Sequence, residues 1–183
     1  MAELTLLIQR AVDGDPQARE TVFGLLYADL RKIAHARLSG GNGNTLLDTT
    51  SLVNEAYLRL TSVGSLKVED RHSYLSYASR AMRSIIVDFV RARQAERRGG
   101  KLDHITLNTG IAESTSSGES EILRVHEALE DLSRVDARLV QIVEMRYFAG
   151  LTEQEVAEAL GITERTVRRQ WVKARLMLAA ALT

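Results

Sequence analysis

Residues 150–178 read GLTEQEVAEALGITERTVRRQWVKARLML, and the punctuation of this stretch leaves its backbone one local shape. Thr152 followed by Glu155 is the S/T-x-x-E arrangement. The hydroxyl accepts from a backbone amide at a helix start while the carboxylate reaches back to the cap's own amide. A helix is therefore predicted from Glu153, with Val156, Ala157 and Leu160 on its apolar face. Gly161 follows where the chain must turn left-handed to leave that helix. Ile162 plugs the gap to the next one, which Thr163 caps and Glu164 opens. Along this second helix Val167, Trp171, Ala174 and Leu178 recur at helical spacing and share a buried face. Glu164, Arg165, Arg168, Arg169, Lys173 and Arg175 point elsewhere, and all but the first are basic.

A helix-turn-helix whose second helix exposes basic residues suits a major-groove reader. Its first turns, with Glu164, Arg165, Thr166, Arg168 and Arg169, would meet base edges, and Lys173 and Arg175 would neutralise phosphates. The bland alternative is a helical hairpin with a solvated basic face, because Lys and Arg are ordinary surface residues of good helix propensity. Agreement in register of cap, glycine turn, apolar plug and basic face favours DNA binding.

The formal net charge is zero, which would argue against a nucleic-acid partner if charge were evenly spread. It is segregated instead. Residues 84–101 hold Arg91, Arg93, Arg97, Arg98 and Lys101 against Asp88 and Glu96. Residues 119–136 hold Glu119, Glu121, Glu127, Glu130, Asp131 and Asp136 against Arg124 and Arg134. The chain thus carries two basic surfaces and one acidic belt. It has no cysteine, which excludes disulfides, thiolate metal sites and a thiol nucleophile. It shows no secretory signal and no apolar run of membrane length, so a soluble cytoplasmic protein with no membrane contact is expected.

The rest of the chain reads as helices. Leu4, Leu7, Ile8 and Ala11 form one face of a first helix that breaks at Gly14. Asp15 caps the next and Pro16 occupies its first position, where a missing N–H costs nothing. That helix continues through Val22, Leu25, Leu26, Leu30, Ile33, Ala34 and Leu38 to Gly40, and the GGNGN run at 40–44 reads as a mobile loop. Leu52, Val53, Ala56 and Leu60 mark a third helix, capped by Asp48, Thr49, Thr50 or Ser51. A fourth runs from about Ser73 through Tyr77, Ala81 and Ile85 to a basic cluster. No strand alternation of useful length appears. The expected fold is all-α, with an N-terminal domain at 1–98, a flexible polar linker at 99–120 and a C-terminal domain at 121–183.

Two ordered matches across that linker give the chain a family resemblance. YFAGLTEQEVAEALGITERTVRRQWVKAR at 147–175 resembles the upstream-promoter-reading domain of bacterial RNA polymerase sigma factors of the extracytoplasmic-function (ECF) group. SLVNEAYLRL at 51–60 and RAMRSIIVDFVRAR at 80–93 are similar to that group's polymerase-binding and downstream-element segments. The resemblance implies a factor that binds core polymerase and directs promoter-specific initiation, with no cofactor. It places Asp48, Leu52, Asn54, Glu55 and Arg59 against the coiled-coil of the polymerase's largest subunit. Residues 68–73 would form the loop for a flipped promoter base, and Arg80, Arg83, Arg91 and Arg93 would follow the melted strand. Tyr77, at a position where the family commonly has an aromatic, is expected in the core rather than as a stacking platform.

The sequence departs from the family at one patch. Where members commonly carry an acidic cluster, this chain has Asp48, Thr49, Thr50 and Ser51. Phosphorylation of Thr50, or of Thr49 or Ser51, would restore about 1.5 to 2 negative charges there. A Ser/Thr protein kinase is then the expected upstream partner, in place of the anti-sigma factor more usual in the family. Helix capping is the plain alternative for the hydroxyls. Two other classes compete for the whole chain. A helix-turn-helix repressor or response-regulator-like protein would share the C-terminal half, but the N-terminal helices show neither βα alternation nor a sustained heptad. An enzyme is disfavoured, because His35, His72, His104 and His126 are scattered without metal-ligand spacing and no phosphate loop follows a strand.

Overall fold

The structure, a computed structural model, describes residues 2–39, 47–62, 68, 70–99 and 109–183. Among them the chain is helical throughout and has no strand. In order come α1 (Ala2–Val12), α2 (Pro16–Ser39), α3 (Thr49–Ser62), α4 (Arg71–Gly99), α5 (Thr109–Val135), α6 (Ala137–Val143), a π turn (Glu144–Phe148), α7 (Glu153–Leu160) and α8 (Glu164–Leu182).

Local chemistry sets these boundaries. Gly14 takes a φ of 101°, and Asp15 then accepts the amides of Gln17 and Ala18 with Pro16 at the first helical position. Asp48 caps α3 through the amides of Thr50 and Ser51, at 2.8 and 3.0 Å. Asp70 caps α4 by accepting from the Ser73 amide at 2.7 Å. Asp136 interrupts the chain between α5 and α6, accepting from the amides of Arg138 and Leu139. The GGNGN run at 40–44 lies outside the described residues, as does most of the segment 63–69.

Helix α4 is the spine. It packs on α1, α2 and α3 on one side and on α5, the π turn and α7 on the other. The main core accordingly does not stop at the expected domain boundary: Val22, Leu30, Leu52, Leu75 and Met82 join Ile142, Met145, Val156 and Val167 in one cluster. A smaller cluster holds Leu129, Leu132, Leu139, Val143 and Ala174, and Trp171 packs against both. Tyr77 packs against the main core, half-buried.

The span expected as a flexible linker divides differently. Gly99 ends α4, residues 100–108 lie outside the described residues, and 109–120 form the opening turns of α5. A polar segment that buries too little to fold alone can still be helical when it extends a helix nucleated elsewhere. Propagation adds a hydrogen bond for each residue fixed, whereas nucleation fixes several residues for one. Here residues 119–135 are anchored by buried Glu119, Ala128, Leu129 and Leu132.

Candidate nucleic-acid interface

The α7–α8 pair is built by its end chemistry. The Thr152 hydroxyl accepts from the Glu155 amide at 3.2 Å, and Glu155 Oε2 accepts from the Thr152 amide at 2.8 Å. Gly161 leaves α7 at φ 61°, in the left-handed region, and its amide bonds back to α7 carbonyls. Thr163 caps α8 by accepting from the Thr166 amide. Val167 and Ala174 are buried and Trp171 and Leu178 half-buried, the face that the helical spacing predicts. Arg146 ties the junction together: it donates to the Leu151 carbonyl at 3.0 Å, lies 3.7 Å from Glu153 and sits over the Trp171 ring.

The basic residues of α8 differ in their surroundings. Glu164, Arg165, Arg169 and Arg175 are exposed, and Thr166 is half-buried beside the cap. Arg165, Arg169 and Lys173 fall at successive four-residue steps and form one stripe. Lys173 reaches Asp136 at 3.5 Å. Arg168 is exposed yet engaged, since its Nε and a terminal nitrogen both donate to Glu153 Oε2, at 3.1 and 2.8 Å. That bond, with the charges of Arg168 and Arg146, holds the Glu153 carboxyl below the usual carboxylate range.

The N-terminal residues assigned by resemblance separate into exposed and enclosed ones. Asn54 and Glu55 are exposed on α3, as are Thr50 and Ser51 at its start, while Thr49 is half-buried. Leu52 is fully buried, so it holds α3 in the chain's own core and cannot touch a partner. Its position on the apolar stripe of α3 accounts for this. Arg59 was expected to be exposed for pairing with a partner, but it lies 2.8 Å from Asp88 and donates to the Ser84 hydroxyl, which ties α3 to α4. On α4, Arg80 and Arg91 are exposed. Arg83 and Arg93 are not available in this arrangement, because carboxylates of the C-terminal helices enclose them. Arg83 Nε is 2.8 Å from Glu144, as an ion pair rather than an aligned hydrogen bond, and Arg93 is 3.3 Å from Glu119. Both carboxylates are buried.

Sequence reasoning missed Glu144 and Glu119. Glu144 opens the π turn, where Ile142, Val143, Glu144 and Met145 are buried in succession, a longer run than one face of an ordinary helix encloses. The available signal for Glu119 was its place in the acidic belt at 119–136, which matches the basic run at 84–101 in length, whereas Glu144 lies outside that belt. No group of residues suited to hold a metal ion occurs among the described residues. Nor is any described helix long and apolar enough to cross a membrane.

These features define an all-helical protein with a capped helix pair that exposes a basic stripe and with a second basic helix at its centre. The family model for ECF sigma factors matches residues 1–183, and the chain belongs to that family. It is therefore a sigma factor, a transcription-initiation protein that works with core RNA polymerase and promoter DNA, in a family often regulated by anti-sigma factors. Members of the family are regulators rather than enzymes. No curated protein and no solved structure is significantly similar to the chain.

Proposed function

We propose that α8 reads the upstream promoter element, that α4 follows the melted strand downstream, and that the start of α3 docks on the largest subunit of core polymerase. The observation that carries the first assignment is the stripe of Arg165, Arg169 and Lys173 opposite the buried Val167 and Ala174. Arg165 and Arg169 are the base readers, Thr166 and Glu164 flank them, and Lys173 and Arg175 contact phosphate. Arg168 positions α8 on α7 through Glu153. Asp48, Asn54 and Glu55 form the polar docking patch, and 1–98 and 121–183 act as the two promoter-contacting parts. The test is run-off transcription with core polymerase and a promoter library. Loss of upstream-element preference in Arg165→Ala and Arg169→Ala supports the reading, and unchanged preference in both overturns it.

The docking patch is completed by phosphorylation at Thr50, with Thr49 and Ser51 as lesser acceptors and a Ser/Thr kinase as the partner. Asp48 already caps α3, and the Ser51 hydroxyl is bound to Asp48 at 2.6 Å, so capping does not account for the exposed Thr50. A phosphate there would also meet the positive end of the α3 dipole. Thr50→Ala should fold normally but dock weakly, and Thr50→Glu should be partly active without a kinase. A fully active chain carrying Ala at 49, 50 and 51 overturns the phosphorylation reading while leaving the promoter assignments intact.

A further inference from the structure

Helix α6 does not run straight into the capped helix pair. Its last turn is widened: the Ala149 amide bonds to the Glu144 carbonyl at 2.8 Å, five residues back, and the Leu151 amide reaches the Met145 carbonyl at 2.9 Å. An uninterrupted α-helix would carry Arg146 on the stripe of Leu139, Ile142 and Val143. With the extra residue in the turn Met145 is buried instead, and the Arg146 side chain, 26% exposed, is directed at α7 and α8. There it meets three separate pieces of structure. One terminal nitrogen donates to the Leu151 carbonyl at 3.0 Å, just ahead of the α7 cap. The other lies 3.7 Å from Glu153, the first residue of α7. The guanidinium sits 5.8 Å from the centre of the Trp171 ring, midway along α8. Glu153 in turn accepts from Arg168 of α8, so one carboxylate joins the π turn to both helices.

We propose, on the reading of α8 as the upstream-element helix, that Arg146 is its positioning residue and holds α8 at the angle from which Arg165 and Arg169 reach base edges. Stability alone does not call for an arginine here. Its Nε is buried without a hydrogen-bond partner, and an apolar side chain of similar length would avoid the cost of keeping that donor from water. What an apolar side chain lacks is direction. A guanidinium is a rigid planar fork that stacks on an aromatic face while it donates in its own plane, so its three contacts favour one orientation of α8 on α7. Arg138 of α6 reaches the other end of α7 at the Leu160 carbonyl, but at 3.5 Å from an exposed side chain it is the weaker tie. Orientation matters unequally to the two kinds of DNA contact. Hydrogen bonds to base edges weaken steeply when misaligned, whereas attraction to phosphates tolerates a tilt.

Full-length variants assembled with core polymerase supply the test, on two promoters that differ only in whether the preferred upstream element is present or scrambled. Arg146→Met keeps length and bulk but not the fork. It should cut the ratio of the two affinities roughly tenfold, the size of one lost base-specific contact, and leave affinity for the scrambled promoter unchanged. The chain has no cysteine, so Gln154→Cys in α7 and Ala180→Cys in α8, both exposed, take spin labels whose distance distribution should broaden when Arg146→Met is added. Emission of Trp171, the single tryptophan, should shift as the guanidinium leaves its ring. An unchanged ratio, unchanged distances or unchanged emission overturns the positioning role. So does a ratio that returns to the parental value once cooling restores full helicity, because Arg146 would then serve the fold alone. If Arg146→Met does not fold, Arg146→Lys keeps the charge beside Glu153 without the fork, and a parental ratio in that variant overturns the proposal. Arg165→Ala in the same assay separates this from the proposed function. If it alters the preference and the Arg146 variants do not, positioning alone fails, and if none alters it, the reading of α8 fails as well.

Discussion

At Arg168 two donated hydrogen bonds fall on a single oxygen of Glu153, which fixes the guanidinium across the α7–α8 angle. The same bonds are the leading cause of the depressed Glu153 pKa. A carboxylate depressed in the folded state stabilises the fold above its unfolded pKa, and that contribution is lost as pH falls through the folded value. Arg168→Ala should therefore lower the melting temperature at neutral pH and flatten the acid limb below the ordinary glutamate value of 4.5, checked by thermal unfolding across that range. An unchanged acid limb would show the contact to be incidental. Arg165→Ala and Arg169→Ala should each cost about 1–3 kcal/mol at one particular base pair, whereas Lys173→Ala and Arg175→Ala should weaken binding evenly across sequences. A panel of single-base promoter variants in holoenzyme binding separates the two patterns. The exposure of Arg168 was legible from helical spacing, but its engagement was not, because Glu153 comes within reach only through the angle between two helices. Leu52 illustrates the converse. Its spacing with Val53, Ala56 and Leu60 marked the buried face, and that reading outranks a partner contact inferred by resemblance.

Elements announced by end chemistry were read from sequence almost to the residue. The capping box of α7, the left-handed Gly161 and the Thr163 cap are local devices, and each appears where the side chains demand it. Gly161 gives a direct test: a Cβ there meets nothing within 4 Å, so any cost of Gly161→Ala is conformational. Denaturant unfolding should register a loss of about 1–2 kcal/mol, with Gly161→Asn less affected because Asn tolerates the left-handed region. A neutral Ala variant would mean that the turn relaxes without strain. The start of α3 is also decided locally, by Asp48 rather than by the hydroxyls after it. Asp48→Ala should lower the melting temperature while Thr50→Ala should not, which separates cap from docking patch before any transcription assay. The opening of α5 was illegible for the opposite reason. Residues 109–118 carry polar composition without an apolar stripe, and their helicity depends on the anchored turns that follow.

Over the whole molecule, a net charge of zero conceals an acidic belt laid along a basic helix. Segregation was visible in the sequence, but composition does not tell whether two opposite surfaces face solvent or each other. The shared core and the Arg83 and Arg93 contacts answer that for this conformation. His126 makes the arrangement sensitive to acid. Its Nδ1 accepts from Arg83, which requires a neutral ring protonated on Nε2. Burial pushes its pKa below the ordinary 6.5, and the charges of Arg83 and Arg91 on α4 add to this against the opposing pull of Glu130 and Glu127 on α5. Glu144 faces the same cluster across Arg83. The sign follows from the lowered value. Above pH 6.5 the ring is neutral in both states and its contribution to the fold is complete, whereas acidification protonates the unfolded chain first and draws the equilibrium towards it. The melting temperature of the protein should therefore fall as pH drops through 6.5, read by thermal unfolding. His126→Gln keeps an acceptor for Arg83 but cannot take up the proton, so it should flatten the profile over that interval. A variant with the same pH profile as the parent would remove His126 from the mechanism and place the proton uptake on another group.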